Sequence, residues 1–160
     1  MTAPYDADAP VINRGTREHH CFGCGTLNQI GLQLEFREMP DGVWAESCPD
    51  RRYEGYLGMI HGGVLTAMLD EAMSWAISAS GEFTVTTRLN TTFRRPARVQ
   101  ATLLIEGRVV SRGRRLIETA AAIYDVDSGK LVAEAEGRFM RVRADQARAW
   151  TDAYFGSDAP

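Results

Sequence analysis

His61-Gly62-Gly63-Val64-Leu65-Thr66-Ala67-Met68-Leu69-Asp70-Glu71-Ala72-Met73-Ser74-Trp75-Ala76-Ile77-Ser78-Ala79 is the stretch that decides the fold. Ala, Leu and Met favour helix, and no proline interrupts the run. Apolar residues occupy most of the helical circumference, so the element belongs inside the molecule and not on its surface. Ser80-Gly81 is a good stop signal, because glycine accepts the left-handed turn that ends helices. A single helix this apolar needs something broad to cover it.

The cover is written on both sides. After Gly81 the hydrophobic period changes from 3.6 to 2, and four strands are predicted, at about 83–94, 99–110, 114–125 and 130–141. Pro96, Gly113 and Asp127-Ser128-Gly129 separate them, as antiparallel hairpins require. In the last strand Leu131, Ala133, Ala135 and Phe139 share one face, while Glu134, Glu136 and Arg138 share the other. Upstream, Leu32-Gln33-Leu34-Glu35-Phe36 alternates as a half-buried strand. Pro40-Asp41-Gly42 turns the chain, and Val43 to Ser47 returns. The expectation is an α+β domain in which about six antiparallel strands wrap one long buried helix, the arrangement called a hotdog. Residues 1–18, without an apolar period, are expected to be a mobile arm, residues 19–143 the domain, and residues 144–160 a tail with a short helix over 144–154.

Composition narrows the function. The chain has 160 residues, enough for one domain with a real core. Its net charge of -3 and pI near 5.6 weigh against a general nucleic-acid binder. No apolar run reaches the ~18 residues of a membrane helix, and the acidic start, Met1 to Asp8, has no apolar signal region, so a cytoplasmic protein is expected. Three cysteines are too few for a disulfide framework. Cys21 and Cys24 form a C-x-x-C inside Cys21-Phe22-Gly23-Cys24-Gly25, with His19 and His20 just before it. A zinc site normally takes two separated ligand pairs, and adjacent residues in so short a loop do not make a tetrahedron. The loop is therefore read as structural and no metal or other cofactor is expected, with a metal-binding module on His19, His20, Cys21 and Cys24, or redox chemistry, as the lesser readings.

The chemistry-bearing residues converge on the helix. Thr66, Asp70, Ser74 and Ser78 recur every fourth position and form a narrow polar stripe. A carboxylate buried there costs several kcal/mol unless it is partnered, so Asp70 is either hydrogen-bonded by its neighbours or a general base or nucleophile. The 100° step per residue points Glu71, the second acid, away from that stripe. At the helix start, Gly62 and Gly63 offer free backbone N–H groups where the helix dipole favours an anion or a developing oxyanion. Gly62 and Asp70 are roughly 12 Å apart along the axis at ~1.5 Å per residue. One helix cannot bring both to one small carbonyl. If both act, two helices run past each other from two subunits, which predicts a two-fold dimer with two composite sites.

At these residues the chain resembles the PaaI-like branch of the hotdog acyl-CoA thioesterases. His61-Gly62-Gly63 with Asp70 nine residues after the His matches that family's active-site helix. Thr86-Thr87-Arg88-Leu89-Asn90-Thr91-Thr92-Phe93-Arg94-Arg95-Pro96 is similar to the strand that follows, and Cys21-Phe22-Gly23-Cys24-Gly25 with Gly31-Leu32 to an N-terminal signature. The resemblance spans about residues 21–141. It implies hydrolysis of an acyl-CoA thioester to a free acid and CoA in a homodimer or a dimer of dimers. Gly63, shaped by His61 and Gly62, would polarise the carbonyl; Asp70 of the other subunit would activate water or attack; Thr86 would help hold the water. Arg94 and Arg95 at a strand end, and Arg112, Gly113 and Arg114 at a turn, would meet the phosphates of CoA. This segment is rich in arginine: eight of the 18 basic residues lie between Arg88 and Arg115, and Lys130 is the one lysine.

The loop Tyr53 to Ile60 carries no Asn or Gln, which some branches have before the helix. A non-catalytic acyl-CoA binding or sensing protein on the same fold is therefore a second reading. A hotdog dehydratase fits less well, because Asp50 lies eleven residues before His61. Trp75, Tyr53 and Tyr56 are expected in the core or an interface more than in an acyl pocket.

Overall fold

Helix α1, Gly62–Ser78, lies in the concave face of a six-stranded antiparallel sheet. The computed structural model describes residues 5–15 and 18–156. The strands are β1 (Arg37–Met39), β2 (Gly42–Ser47), β3 (Thr84–Phe93), β4 (Leu103–Arg112), β5 (Leu116–Asp125) and β6 (Lys130–Arg141), and a second helix, α2 (Ala144–Phe155), follows them. The spatial order is β1-β2-β4-β5-β6-β3. β3, which directly follows the helix, therefore crosses to the far edge, and one of its sides is open. This is the α+β hotdog the sequence predicts.

The helix is seated by its own residues. Leu65, Met68, Leu69, Ala72, Met73, Ala76 and Ile77 are buried against Phe36, Val43, Leu103, Ile105, Ile117, Ile123, Ala133 and Phe139 from the sheet side. Every residue from Val64 to Ser78 is buried or half-buried. Gly107 in β4 lets the helix backbone approach. A Cβ there would lie 2.2 Å from the Ala72 carbonyl oxygen and 3.0 Å from the Met73 nitrogen. At the other end Gly81, at φ +79°, takes the left-handed turn that sends the chain into β3.

Several predicted boundaries move. Residues 32–36 are not a strand. Leu34 and Phe36 are buried, as the alternation implies, but Gln33 has φ +50°. Leu32 and Leu34 donate instead to the carbonyls of Phe22 and Gly23 (2.7 and 2.9 Å). Alternating burial does not require a ladder, so the first strand begins at Arg37. Residues 99–102 are not part of β4 either: Gln100 has φ +64° and donates to the Pro49 carbonyl (2.7 Å). β4 runs from 103 to 112, two residues past the predicted end, and β5 starts at 116 rather than 114.

Within the expected arm, residues 5–15 make specific contacts with the domain. The Ile12 N–H donates to the Phe36 carbonyl (2.8 Å). The buried Asn13 side chain donates to the Leu34 carbonyl (2.7 Å) and accepts from the Phe36 N–H (2.9 Å). Tyr5 sits edge-on to Trp44 at 5.6 Å. These contacts join residues far apart in the chain, which no period reports. Residues 1–4, 16 and 17 lie outside the described residues. In the tail, Phe83 packs among Trp150, Tyr154 and Phe155 of α2, one residue longer than predicted. No described helix is long and apolar enough to cross a membrane.

Candidate active site

The site forms where α1 meets the open edge strand. Asp70 leaves the helix toward β3, and the Thr86 hydroxyl donates to its Oδ1 at 2.8 Å. Burial raises the Asp70 pKa above the usual carboxylate range, and the Thr86 bond opposes that rise. Two residues singled out in the sequence for the same chemistry are thus joined within one chain. Thr66, one turn toward the helix start, is turned back on its own helix and donates to the Gly62 carbonyl (3.0 Å).

His61 caps the helix. Its Nδ1 accepts from the Gly63 N–H at 2.9 Å, and its carbonyl accepts from Val64 (2.9 Å) and Leu65 (3.2 Å). The N–H expected to meet an oxyanion is therefore occupied by a side chain two residues away. The imidazole is exposed. Delivering that N–H to a substrate needs the ring to swing out, a motion of one χ1 on an exposed side chain. The Phe93 ring, at the end of β3, lies against this helix start: a Cβ on Gly62 would sit 3.4 Å from it. So β3 runs beside α1 with Phe93 near Gly62 and Thr86 at Asp70.

The predicted phosphate-binding arginines fall into two separated groups. Arg94 and Arg95 follow β3, next to the start of β6; Arg94 pairs with Glu134 (2.6 Å) and Arg95 donates to the Leu131 carbonyl (2.9 Å). Arg112, Gly113 and Arg114 form the β4–β5 hairpin at the opposite end. There Arg112 pairs with Glu82 and donates to Ser80 (3.1 Å), and the Arg114 side chain is exposed. The register sets Phe93 opposite Ala133 and Leu116 opposite Met140. Seven residues of β6 at ~3.3 Å each put the two groups roughly 23 Å apart in one chain.

Glu71 takes the other side of the helix, as the 100° step implies. Its carboxylate lies beside Cys21 and Cys24, and its Oε1 accepts from the Trp75 indole N–H (3.1 Å). Burial, and then the neighbouring Cys21 sulfur, push the Glu71 carboxyl up to about 7. The bond from Cys24 pulls the Cys21 thiol down to about 5, and the same bond with burial pushes Cys24 up. Trp75 also stacks on Phe36 (6.3 Å), a core position, while Tyr53 donates to the Gly31 carbonyl and Tyr56 is exposed. Sequence reasoning kept Glu71 and the C-x-x-C apart because fifty residues separate them; the Gly23 between the cysteines was the one local signal that something approaches closely there.

The sheet and its helix define a hotdog fold, shared with solved thioesterase superfamily structures. The thioesterase superfamily model matches residues 57–132, which hold α1, β3, β4 and β5. The chain is 27% identical over 94 residues to the bovine (Bos taurus) acyl-coenzyme A thioesterase THEM4, a span that covers 59% of this chain and 38% of THEM4. A crystal structure of a thioesterase superfamily protein matches at 28% identity with a TM-score of 0.71, covering 76% of this chain and 63% of that one. The PaaI protein of E. coli, from the phenylacetic acid degradation operon, shares the fold at 22% identity and a TM-score of 0.65, over 70% of this chain and 81% of PaaI.

Proposed function

We propose that the protein hydrolyses an acyl-CoA thioester in a composite site of a two-fold dimer. The observation that carries this reading is the Asp70–Thr86 hydrogen bond at the open edge of β3, on the helix that begins with His61-Gly62-Gly63. The match to the thioesterase superfamily model and the name of THEM4 support the substrate class.

The two-fold follows from the open edge. β3 pairs with β6 on one side only. A second copy adding antiparallel to the free side, about an axis near Leu89 and Asn90, puts Thr86 of one strand opposite Phe93 of the other. Asp70 travels with Thr86, and Gly62 lies by Phe93, so each Asp70 approaches the helix start of the other chain. This closes the gap of roughly 12 Å that one helix cannot close. The same operation carries Arg94 and Arg95 of one chain to the Arg112–Arg114 hairpin of the other. Arg95 and Arg114 are the better phosphate contacts, since Arg94 and Arg112 already hold Glu134 and Glu82.

In this site the thioester carbonyl takes the Gly63 N–H in place of the His61 imidazole. Thr86 engages one Asp70 oxygen, and the other accepts a proton from water as the water oxygen attacks the carbonyl carbon. The oxyanion forms at the helix N-terminus, where the dipole favours it. Collapse of the tetrahedral intermediate breaks the carbon–sulfur bond and releases CoA thiolate, a leaving group that needs no strong acid.

A thiol-release assay with acetyl-, hexanoyl-, palmitoyl-, benzoyl-, phenylacetyl- and hydroxybenzoyl-CoA tests the reading. Turnover of at least one is expected; silence across the panel, with CoA still bound, would replace it by acyl-CoA binding or sensing. Thr86 is a positioning residue here. Its bond to a carboxylate is worth about 1.5–3 kcal/mol, so Thr86→Val should lower kcat roughly 10- to 100-fold with KM little changed. Thr86→Ser should restore most of the loss. Equal kcat in the valine variant would remove Thr86 from the mechanism.

A further inference from the structure

Cys21, Cys24 and Glu71 offer three ligand atoms that all lie within 4.8 Å of one another. Both Glu71 oxygens are 3.7 Å from the Cys21 sulfur. With Zn–S of about 2.3 Å and Zn–O of about 2.0 Å, a tetrahedral zinc ion sets sulfur and carboxylate oxygen ~3.5 Å apart. We propose that Cys21, Cys24 and Glu71 hold a zinc ion, with its fourth position open to the cleft between α1, loop 19–24 and α2. This proposal is independent of the hydrolase reading.

The loop is built around the cluster. The Gly25 N–H closes the turn on the Cys21 carbonyl (2.9 Å). A Cβ on Gly25 would fall 2.4 Å from the His19 carbonyl oxygen, and one on Gly23 would fall 2.3 Å from the Glu71 carboxylate. Both glycines are therefore needed for the sulfurs and the carboxylate to meet. The Trp75 indole N–H donates to Glu71 Oε1 (3.1 Å) and lies 3.4 Å from the Cys24 sulfur, an outer partner that orients two ligands at once.

The charge balance points the same way. The cleft, about 640 Å³, is lined by Glu71, Glu38, Cys21, Cys24 and His19, and by Glu82, which Arg112 and Arg141 already pair; no Lys or Arg is in the lining. A carboxylate gathered beside two sulfurs, with no guanidinium in that lining, is partnered best by a cation. Thiolate ligands select zinc over magnesium or calcium. The sequence expectation of no metal counted ligands in the loop alone, and the loop does fall short. The missing, separated ligand comes from the helix fifty residues later. A Cys21–Cys24 disulfide would use the same sulfurs but would leave Glu71 wedged against them without a counter-charge.

The test titrates the reduced, chelator-treated full chain with cobalt(II) and then zinc(II). One cobalt per chain is expected, with thiolate charge-transfer absorption and the strong visible bands of tetrahedral cobalt, bleached by zinc. Glu71→Gln and Cys24→Ser should weaken binding by more than the roughly 10- to 100-fold that loss of an outer partner costs, Trp75→Phe by about that amount, and Cys48→Ser not at all. Absence of stoichiometric metal, or equal affinity in Glu71→Gln, would overturn the proposal. Should the variants fail to fold, zinc-edge X-ray absorption on the wild-type chain decides: two sulfur scatterers at about 2.3 Å support the site, and a shell of oxygen and nitrogen alone rejects it.

Discussion

Asp70→Asn should lower kcat about 10³-fold, within the roughly 10²- to 10⁴-fold that a positioned general base supplies. The substitution keeps the shape and a carbonyl oxygen for the Thr86 hydroxyl, now 2.8 Å from Oδ1. It removes a half-buried charge rather than creating one, so the melting temperature should hold or rise. CoA affinity should be unchanged, because the arginines lie elsewhere. Thiol release, a thermal melt and a CoA titration on the same preparation check all three, and an unchanged kcat would exclude Asp70 as the base. The composite site makes a sharper demand. Gly63→Pro deletes the N–H at the second helical position, where proline is tolerated. Each variant alone should be nearly inactive. Mixed dimers restore one intact site, with Gly63 from one chain and Asp70 from the other. Random reassortment of equal amounts should return about a quarter of wild-type activity, since half the dimers are mixed and each has one of two sites. No recovery would place both groups of a site in one chain.

The sequence is most legible where one residue type is demanded by one local geometry. The helix from Gly62 to Ser78 was readable because its apolar surround and its start and stop residues agree, and β6 was predicted to the residue. Asp70 and Thr86 were each visible. Their bond was not, because it depends on β3 crossing to the far edge of the sheet. Leu32 to Phe36 shows the reverse failure: the alternation correctly reported buried Leu34 and Phe36, yet Gln33 turns through φ +50° and the ladder starts later. How His61 acts on the turn was not legible. A histidine before two glycines was read as shaping the turn, and its imidazole does so by taking the very N–H the turn exposes. The arginines were counted as one cluster because they are close in sequence, and the hairpins carry them to opposite ends.

Gly107→Ala should destabilise the fold by about 3 kcal/mol, at the upper end of the usual cost of overpacking. In a chain of this size that lowers the melting temperature by roughly 6–12 °C. Glycine to alanine in a strand ordinarily gains a few tenths to ~1 kcal/mol through the unfolded chain. The sign is set here by contact. The new methyl would lie 2.2 Å from the Ala72 carbonyl oxygen, 2.5 Å from its carbon and 3.0 Å from the Met73 nitrogen. All three are helix backbone, which no rotamer change can move. The strand cannot yield either, since Gly107 is paired with Val43 on one side and Ala121 on the other. The helix must lift, which loosens Leu69, Met73 and Ile77 against the sheet and carries Asp70 away from Thr86. Stability and kcat should therefore fall together in Gly107→Ala. Asp70→Asn, by contrast, should lose kcat alone. Urea unfolding beside the thiol-release assay measures both. A Gly107→Ala protein as stable as wild type would mean that α1 does not rest on β4 at this distance.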